Sequence, residues 1–157
     1  MLNLDLDSIQ NHLKKKGIEA HIQKETQQLC VILKIAEQEF PLFVRIFDGN
    51  ELLQLLAFLP CNIQKSTLND TARLLHLLNK EIDIPGFGMD ESAFLAFYRC
   101  MMPAKNNKID TAFFDAFFNA VDVVCKTFAP VITAVAHGAI TFQDVLQKAK
   151  ENKPISE

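Results

Sequence analysis

Tryptophan is absent and tyrosine occurs once in the 157 residues, yet there are 13 phenylalanines. The aromatic surface is therefore nearly all ring without a polar handle. Phe needs no hydrogen-bond partner when buried, so it serves a core and a contact surface equally well. Glycine and proline are few, five and six, and no low-complexity segment or internal repeat is visible. Four cysteines, Cys30, Cys61, Cys100 and Cys125, stand far apart with no C-x-x-C pair. That spacing fits buried thiols in a reducing cytosol better than a disulfide framework, and a cytoplasmic protein is expected.

Positive charge is also short. The net charge is −3 and the isoelectric point about 5.8, which argues against nucleic acid, whose phosphates Lys and Arg must neutralise. The one dense basic run, Lys14-Lys15-Lys16, closes a predicted first helix, where cations favour the negative end of the dipole. A secretory signal is missing: Asp5 and Asp7 stand where Lys or Arg and an apolar run would be needed. The longest stretch without a charged residue, Thr127 to Gln143, is broken by Pro130, His137 and Gly138 and falls short of a membrane span. Neither nucleic acid nor membrane is an expected partner.

Catalytic constellations are wanting as well. His12, His21, His76 and His137 have no His four residues away and no Cys or carboxylate at ligand spacing. Cys100 and Cys125 lie in apolar stretches where a thiol is inert. Gly86-x-Gly88 does not open a helix after a strand, so it is no phosphate loop. No catalytic residue, metal or cofactor is expected.

What is present is a clear alternation of periods. Asp7 or Ser8 can cap a helix to about Lys16, stopped by Gly17. Residues 18–25, 29–35 and 40–47 read as strands, and Asp48-Gly49-Asn50 is a hairpin signal. Residues 51–59 are Leu-rich and compatible with helix by propensity; the hairpin before them and Pro60 after them favour strand. A second helix runs from Ser66 to about Asn79 with Leu68, Ala72, Leu75 and Leu78 on one face. Pro85 to Gly88 breaks the chain, 92–101 is a strand and 102–108 a loop. Asp110 caps a long helix to about Ala136, and Thr141-x-x-Asp144 starts a last one. The order predicts an α+β fold: an antiparallel sheet, a meander plus a later strand, with flanking helices, as one domain over 1–151 and a flexible tail over 152–157.

Both faces of the predicted sheet are rich in apolar residues, although a half-buried strand should alternate apolar with polar. One face carries Leu29, Val31, Leu33, Ile35, Leu42, Val44, Leu53 and Leu55. The other carries Ile32, Phe43, Phe47, Leu56 and Phe97, dotted with Lys34, Arg45, Gln54 and Arg99. A core rarely keeps those charges and a solvent face rarely keeps so many rings. Either the long helix covers this second face, the commoner fate of such residues, or it is a contact surface with an apolar centre and a polar rim. The long helix itself has a thin polar stripe, Asp115, Asn119, Asp122 and Lys126. A stripe so thin implies cover on more than one side, by the sheet and by the last helix or a second copy of the chain.

Several residues in this order resemble a known family. Leu77-Leu78-Asn79-Lys80, then Pro85-Gly86-Phe87-Gly88-Met89-Asp90, a strand ending in Tyr98-Arg99-Cys100 before Pro103, and a long helix opened by Asp110-Thr111 with Pro130 in its final third are similar to the YbjN-like branch of the type III secretion chaperone-like fold. The resemblance covers roughly residues 5–136. It implies a small acidic bacterial protein, a homodimer, that binds a partner chain and has no catalytic residues. On that reading the chain holds a secreted effector segment, or a regulatory partner, against the second sheet face, using main-chain pairing at a strand edge. Ile32, Phe43, Phe47, Leu56 and Phe97 are the expected apolar contacts and Arg45 and Arg99 the rim. A YbjN-like regulatory or stress adaptor unconnected with secretion is the alternative.

Overall fold

The computed structural model describes residues 1–47 and 49–152. Asp48 of the expected hairpin turn and residues 153–157 of the expected tail lie outside the described residues. In chain order the elements are β1 (Leu2–Asn3), α1 (Leu6–Lys15), β2 (Ala20–Gln23), β3 (Gln28–Ile35), β4 (Gln38–Ile46), β5 (Leu52–Asn62), α2 (Leu68–Glu81), β6 (Phe87–Asp90), β7 (Leu95–Pro103), β8 (Lys108–Ile109), α3 (Thr111–Ala136) and α4 (Phe142–Glu151). Six strands form one antiparallel sheet in the order β2-β3-β4-β5-β7-β6, and β1 pairs with β8 apart from it. This is the expected α+β arrangement.

Local chemistry sets the boundaries. α1 starts earlier than expected because Asp5, not Asp7 or Ser8, is its cap: its carboxylate accepts the Ser8 N–H at 2.7 Å. Gly17, at φ +76°, ends it in the left-handed conformation that glycine adopts without strain. Ala36 and Glu37 both have positive φ, the geometry of a tight two-residue hairpin, so β4 begins at Gln38. The Leu-rich segment is a strand, but Pro60 does not stop it. β5 runs on to Asn62, and its pairing with β7 shifts between Phe58 and Asn62. Proline cannot donate to the ladder, and an irregularity in register is where a strand accommodates it.

Three further expectations differ. The segment around Gly86 to Gly88 contributes the edge strand β6, and β7 extends to Pro103 into residues read as loop. α2 follows a 3-10 turn over Lys65–Thr67, and it buries Thr71, Leu74, Leu75 and Leu78 rather than a face including Leu68 and Ala72. The last two helices begin as expected. Asp110 accepts the Phe113 N–H at 3.0 Å, and Thr141 and Asp144 form a reciprocal capping box.

Among the described residues, the sheet is covered on one face only. Leu29, Val31, Leu42, Val44, Leu53, Leu55, Ala57, Ala96 and Tyr98 are all buried there. α3 lies across β5, β7 and β3 with Phe114, Phe118, Val121, Cys125, Ala129 and Ile132 turned inward. α1 adds Ile9 and Leu13 to the same layer. α2 packs beside α3, and α4 packs on α2. Of the two covers the sequence leaves open for the outer side of α3, the last helix is therefore not the one, and Phe113 and Val123 there are 66% and 50% exposed. By length and composition α3 would suit a membrane span, with a mean hydropathy of 1.4. Here it is the helix that closes the core.

Candidate functional site

None of the described helices lies over the second sheet face. The expectation that the long helix covers it fails because α3, α1 and α2 all lie on the other side, leaving the alternative of an uncovered contact surface. All seven residues chosen from the sequence lie on this open face. Ile32 is 47% exposed, Phe43, Phe47, Leu56 and Phe97 are half-buried, and Arg45 and Arg99 are exposed.

Register shows how they meet. Cys30 stands opposite Phe43, Phe43 opposite Leu56, and Leu56 opposite Arg99, so one row crosses four strands. A parallel row carries Gln28, Arg45, Gln54 and Met101. Phe58, missed as a site residue, joins the rings. It lies edge-to-face with Phe43 at 6.0 Å and with Phe97 at 6.4 Å, forming an aromatic chain from β4 to β7. Its alternation with Leu56 was visible in the sequence, but it sits just before Pro60, where the strand was expected to end. Leu52 and Met101, 40% and 39% exposed, extend the apolar area.

The guanidinium of Arg45 lies 4.9 Å from the ring centre of Phe47, and that of Arg99 lies 5.7 Å from Phe97. Such stacking holds a cation over an apolar floor while leaving its N–H donors free. Among the described residues neither guanidinium has a carboxylate within salt-bridge distance. Two carboxylates at strand positions of this face, Glu39 and Asp90, are engaged at its perimeter. Glu39 stands 4.0 Å from Lys34, and Asp90 accepts from Ser92 and Ala93 in the turn after β6.

The far edge of the face is built by the residues that carried the family resemblance, each for a physical reason. The side chain of Asn79, at the end of α2, accepts from the backbone N–H groups of Gly86 and Phe87 at 3.1 and 2.9 Å and donates to the Phe87 carbonyl at 2.8 Å. It thereby clamps β6 to the helix layer. The Gly86 carbonyl accepts from the Arg99 N–H at 2.9 Å, and a Cβ on Gly86 would stand 2.3 Å from the Arg99 carbonyl oxygen. Only glycine permits that approach. A Cβ on Gly88 would stand 2.6 Å from the Phe97 ring, so its absence lets the end of that ring approach β6. Tyr98, facing the core, donates its hydroxyl to the Ile84 carbonyl at 2.6 Å.

A second concave feature, a groove of about 750 Å³, lies between the α3 polar stripe and β3. Its charges are consumed internally. Asp115 accepts from His12 Nε2 at 2.7 Å and Lys16 Nζ at 2.5 Å, and Asp122 from Lys126 at 2.7 Å. Burial pushes the Asp115 carboxyl up, but the hydrogen bonds and charges of His12 and Lys16 outweigh it and hold the group below its ordinary value. Beside this groove β3 runs on to Ile35, while β2 begins at Ala20 opposite Val31, so residues 32–35 pair on one side only.

Burial raises all four thiols above their ordinary value. Burial pushes Cys100 up to about 11 and Cys125 up to about 12, so both are protonated at neutral pH. Among the described residues no three His, Cys, Asp or Glu side chains gather to hold a metal ion.

The YbjN family model, described as "Putative bacterial sensory transduction regulator", matches residues 5–134. The crystal structure of YbjN from E. coli superposes with a TM-score of 0.64 at 13% identity, covering 88% of this chain and 96% of that one. A chain of the crystal structure of the ExsC-ExsE complex superposes with a TM-score of 0.55 at 14% identity, covering 82% of this chain and 97% of that one. At these identities the two structures establish a shared fold. No curated protein sequence matches the chain significantly.

Proposed function

The chain belongs to the YbjN family, and from that premise we propose that it is a protein-binding adaptor that holds a partner polypeptide on its open sheet face. The observation carrying this reading is an apolar, ring-rich sheet surface with none of the described helices over it, flanked by cations that have no partner among the described residues. Leaving such a surface in water is unfavourable, and sizeable apolar patches with polar rims mark interaction sites. The work is binding rather than catalysis. A compartment that keeps thiols reduced suits the four free cysteines, so we place the protein in the cytosol. The structural neighbour described as a complex of two proteins supports the idea that this fold can carry a second polypeptide. The uncovered outer side of α3, with Phe113 and Val123, supports a homodimer through that helix, leaving the sheet face for the partner.

A photo-crosslinking residue placed at Phe58, compared with one at Phe113, tests this. The expected result is that Phe58 captures a different protein, that the purified partner binds the chain directly, and that Phe43→Asp and Phe97→Asp each abolish that binding while the circular dichroism spectrum stays native. If Phe58 captures only a second copy of the chain, or both variants bind normally, the assignment of this face fails.

A further inference from the structure

Resting on the adaptor reading, we infer that the open face takes an amphipathic helix of the partner whose two carboxylates, about two turns apart, engage Arg45 and Arg99. The argument begins with charge. The centre of the face presents two stacked guanidiniums without acceptors among the described residues, and its own carboxylates, Glu39 and Asp90, are engaged at the perimeter. Gln54, opposite Arg45, has only the Met101 sulfur as acceptor, at 3.5 Å. Among the described residues, the surface therefore lacks free negative charge where it has most hydrogen-bonding capacity. A two-fold dimer through this face would have to be self-complementary, setting the same cations against one another. A partner carrying carboxylates supplies what the face lacks.

The conformation follows from where main-chain groups can pair. An extended segment lying across the middle of a sheet face leaves its N–H and C=O groups without partners, whereas a helix satisfies its own. An extended segment could pair at residues 32–35 of β3. From that edge it would lie roughly 10 Å from the Arg45 strand and 19 Å from the Arg99 strand, too far to use both. A helix laid on the face mirrors the way α3 already covers the opposite side.

Register gives the spacing. Arg45 pairs with Gln54, and Arg99 pairs with Leu56 two residues further along β5. The two arginines are thus two strands and one side-chain row apart, roughly 12 Å. Residues i and i+7 or i+8 of a helix are about 10.5 to 12 Å apart. Gln54 and Leu56 lie on the strand between the arginines, Phe43 beside Leu56 in the Arg99 row, and Phe58 and Phe97 in the next row beyond Arg99. Leu56 and the three rings would receive the apolar stripe of the helix.

The test uses a synthetic peptide of about five helical turns with a leucine stripe flanked by glutamates at i and i+7, and its counterpart with glutamines there. Fluorescence anisotropy against the full chain at low salt is the readout. The glutamate peptide is expected to bind about tenfold more tightly, the sum that two exposed ion pairs support. That preference should vanish in Arg45→Gln/Arg99→Gln, whose unchanged urea midpoint shows it folded. Equal binding of both peptides overturns the carboxylate pairing but leaves the adaptor reading standing. A preference that persists in the double variant, or no binding by either peptide, overturns the inference. If light scattering then gives a dimer that Phe58→Asp dissociates, a second copy occupies the face and both readings fall.

Discussion

The two faces of the sheet are made from alternate residues of the same strands, and by apolar content they are near equals. Leu55 is fully buried beneath α3, while Leu56, its neighbour, is half-buried on the open side. Val44 is fully buried, while Phe43 is not. The faces differ in their charges. Apart from the ion pairs along its flank, the covered side has no charged residue in its strand positions, whereas the open side carries Lys34, Arg45 and Arg99. In a two-sided apolar sheet, hydrophobicity fails to say which face is the core. The positions of a few arginines say it, because a core excludes them and an interface keeps them at its rim.

The largest expected effect breaks this comparison directly. Leu55→Ala removes a fully buried side chain packed under α3 and should destabilise the fold by about 3 kcal/mol. Leu56→Ala, one residue away, should cost about 1 kcal/mol or less, since much of its surface already meets water. Urea unfolding of the two variants measures the difference. Similar losses would mean that something of this chain covers the open face after all, and the docking surface would have to be sought elsewhere.

A smaller effect is expected at the edge that joins the two faces. Asn79 satisfies two backbone donors and one acceptor of the Gly86-Phe87 segment. Replacing it with Ala leaves those groups to find water or stay unpaired, at about 2 kcal/mol. The loss should be local. Amide exchange should accelerate in β6 and at Arg99, whose N–H bonds to Gly86, while the β3–β4 hairpin keeps its protection. Uniform acceleration across the sheet would mean that Asn79 supports the whole fold and not one strand.

The same contrast explains what could be read from the sequence. The helices and central strands were legible because Asp110, Thr141 and Gly17 are strong local signals and the period-2 runs are long. The seven site residues were legible because strand parity places them without any knowledge of what lies above. Which face α3 covers was not, since a helix with apolar residues on nearly all sides can lie on either. β6 was lost because Pro85-Gly86-Phe87-Gly88 has turn chemistry. Its two glycines serve close approaches, to the Arg99 carbonyl and the Phe97 ring, that only the folded sheet creates. Phe58 was passed over for a similar reason: Pro60 ends most strands, but here a shift in pairing carries β5 past it.

The smallest effect sharpens the contrast in charge. On the helix side Asp115 is bonded to His12 and Lys16, whereas Arg45 and Arg99 on the open side lack such partners among the described residues. A carboxyl held below its ordinary value of 3.8 contributes stability at pH above that value, and loses it as pH falls through the lowered folded value. The window lies below about pH 4. Asp115→Asn should therefore lower stability near neutrality and flatten the acid limb relative to the parent, with Asp90 and Asp144 still titrating in both. Arg45→Gln should leave the acid limb and the urea midpoint as they are, because no carboxylate among the described residues lies within salt-bridge distance of that guanidinium. If Arg45→Gln shifts the acid limb as Asp115→Asn does, the cation has an internal partner, and the open face loses the free charge by which it would read another chain.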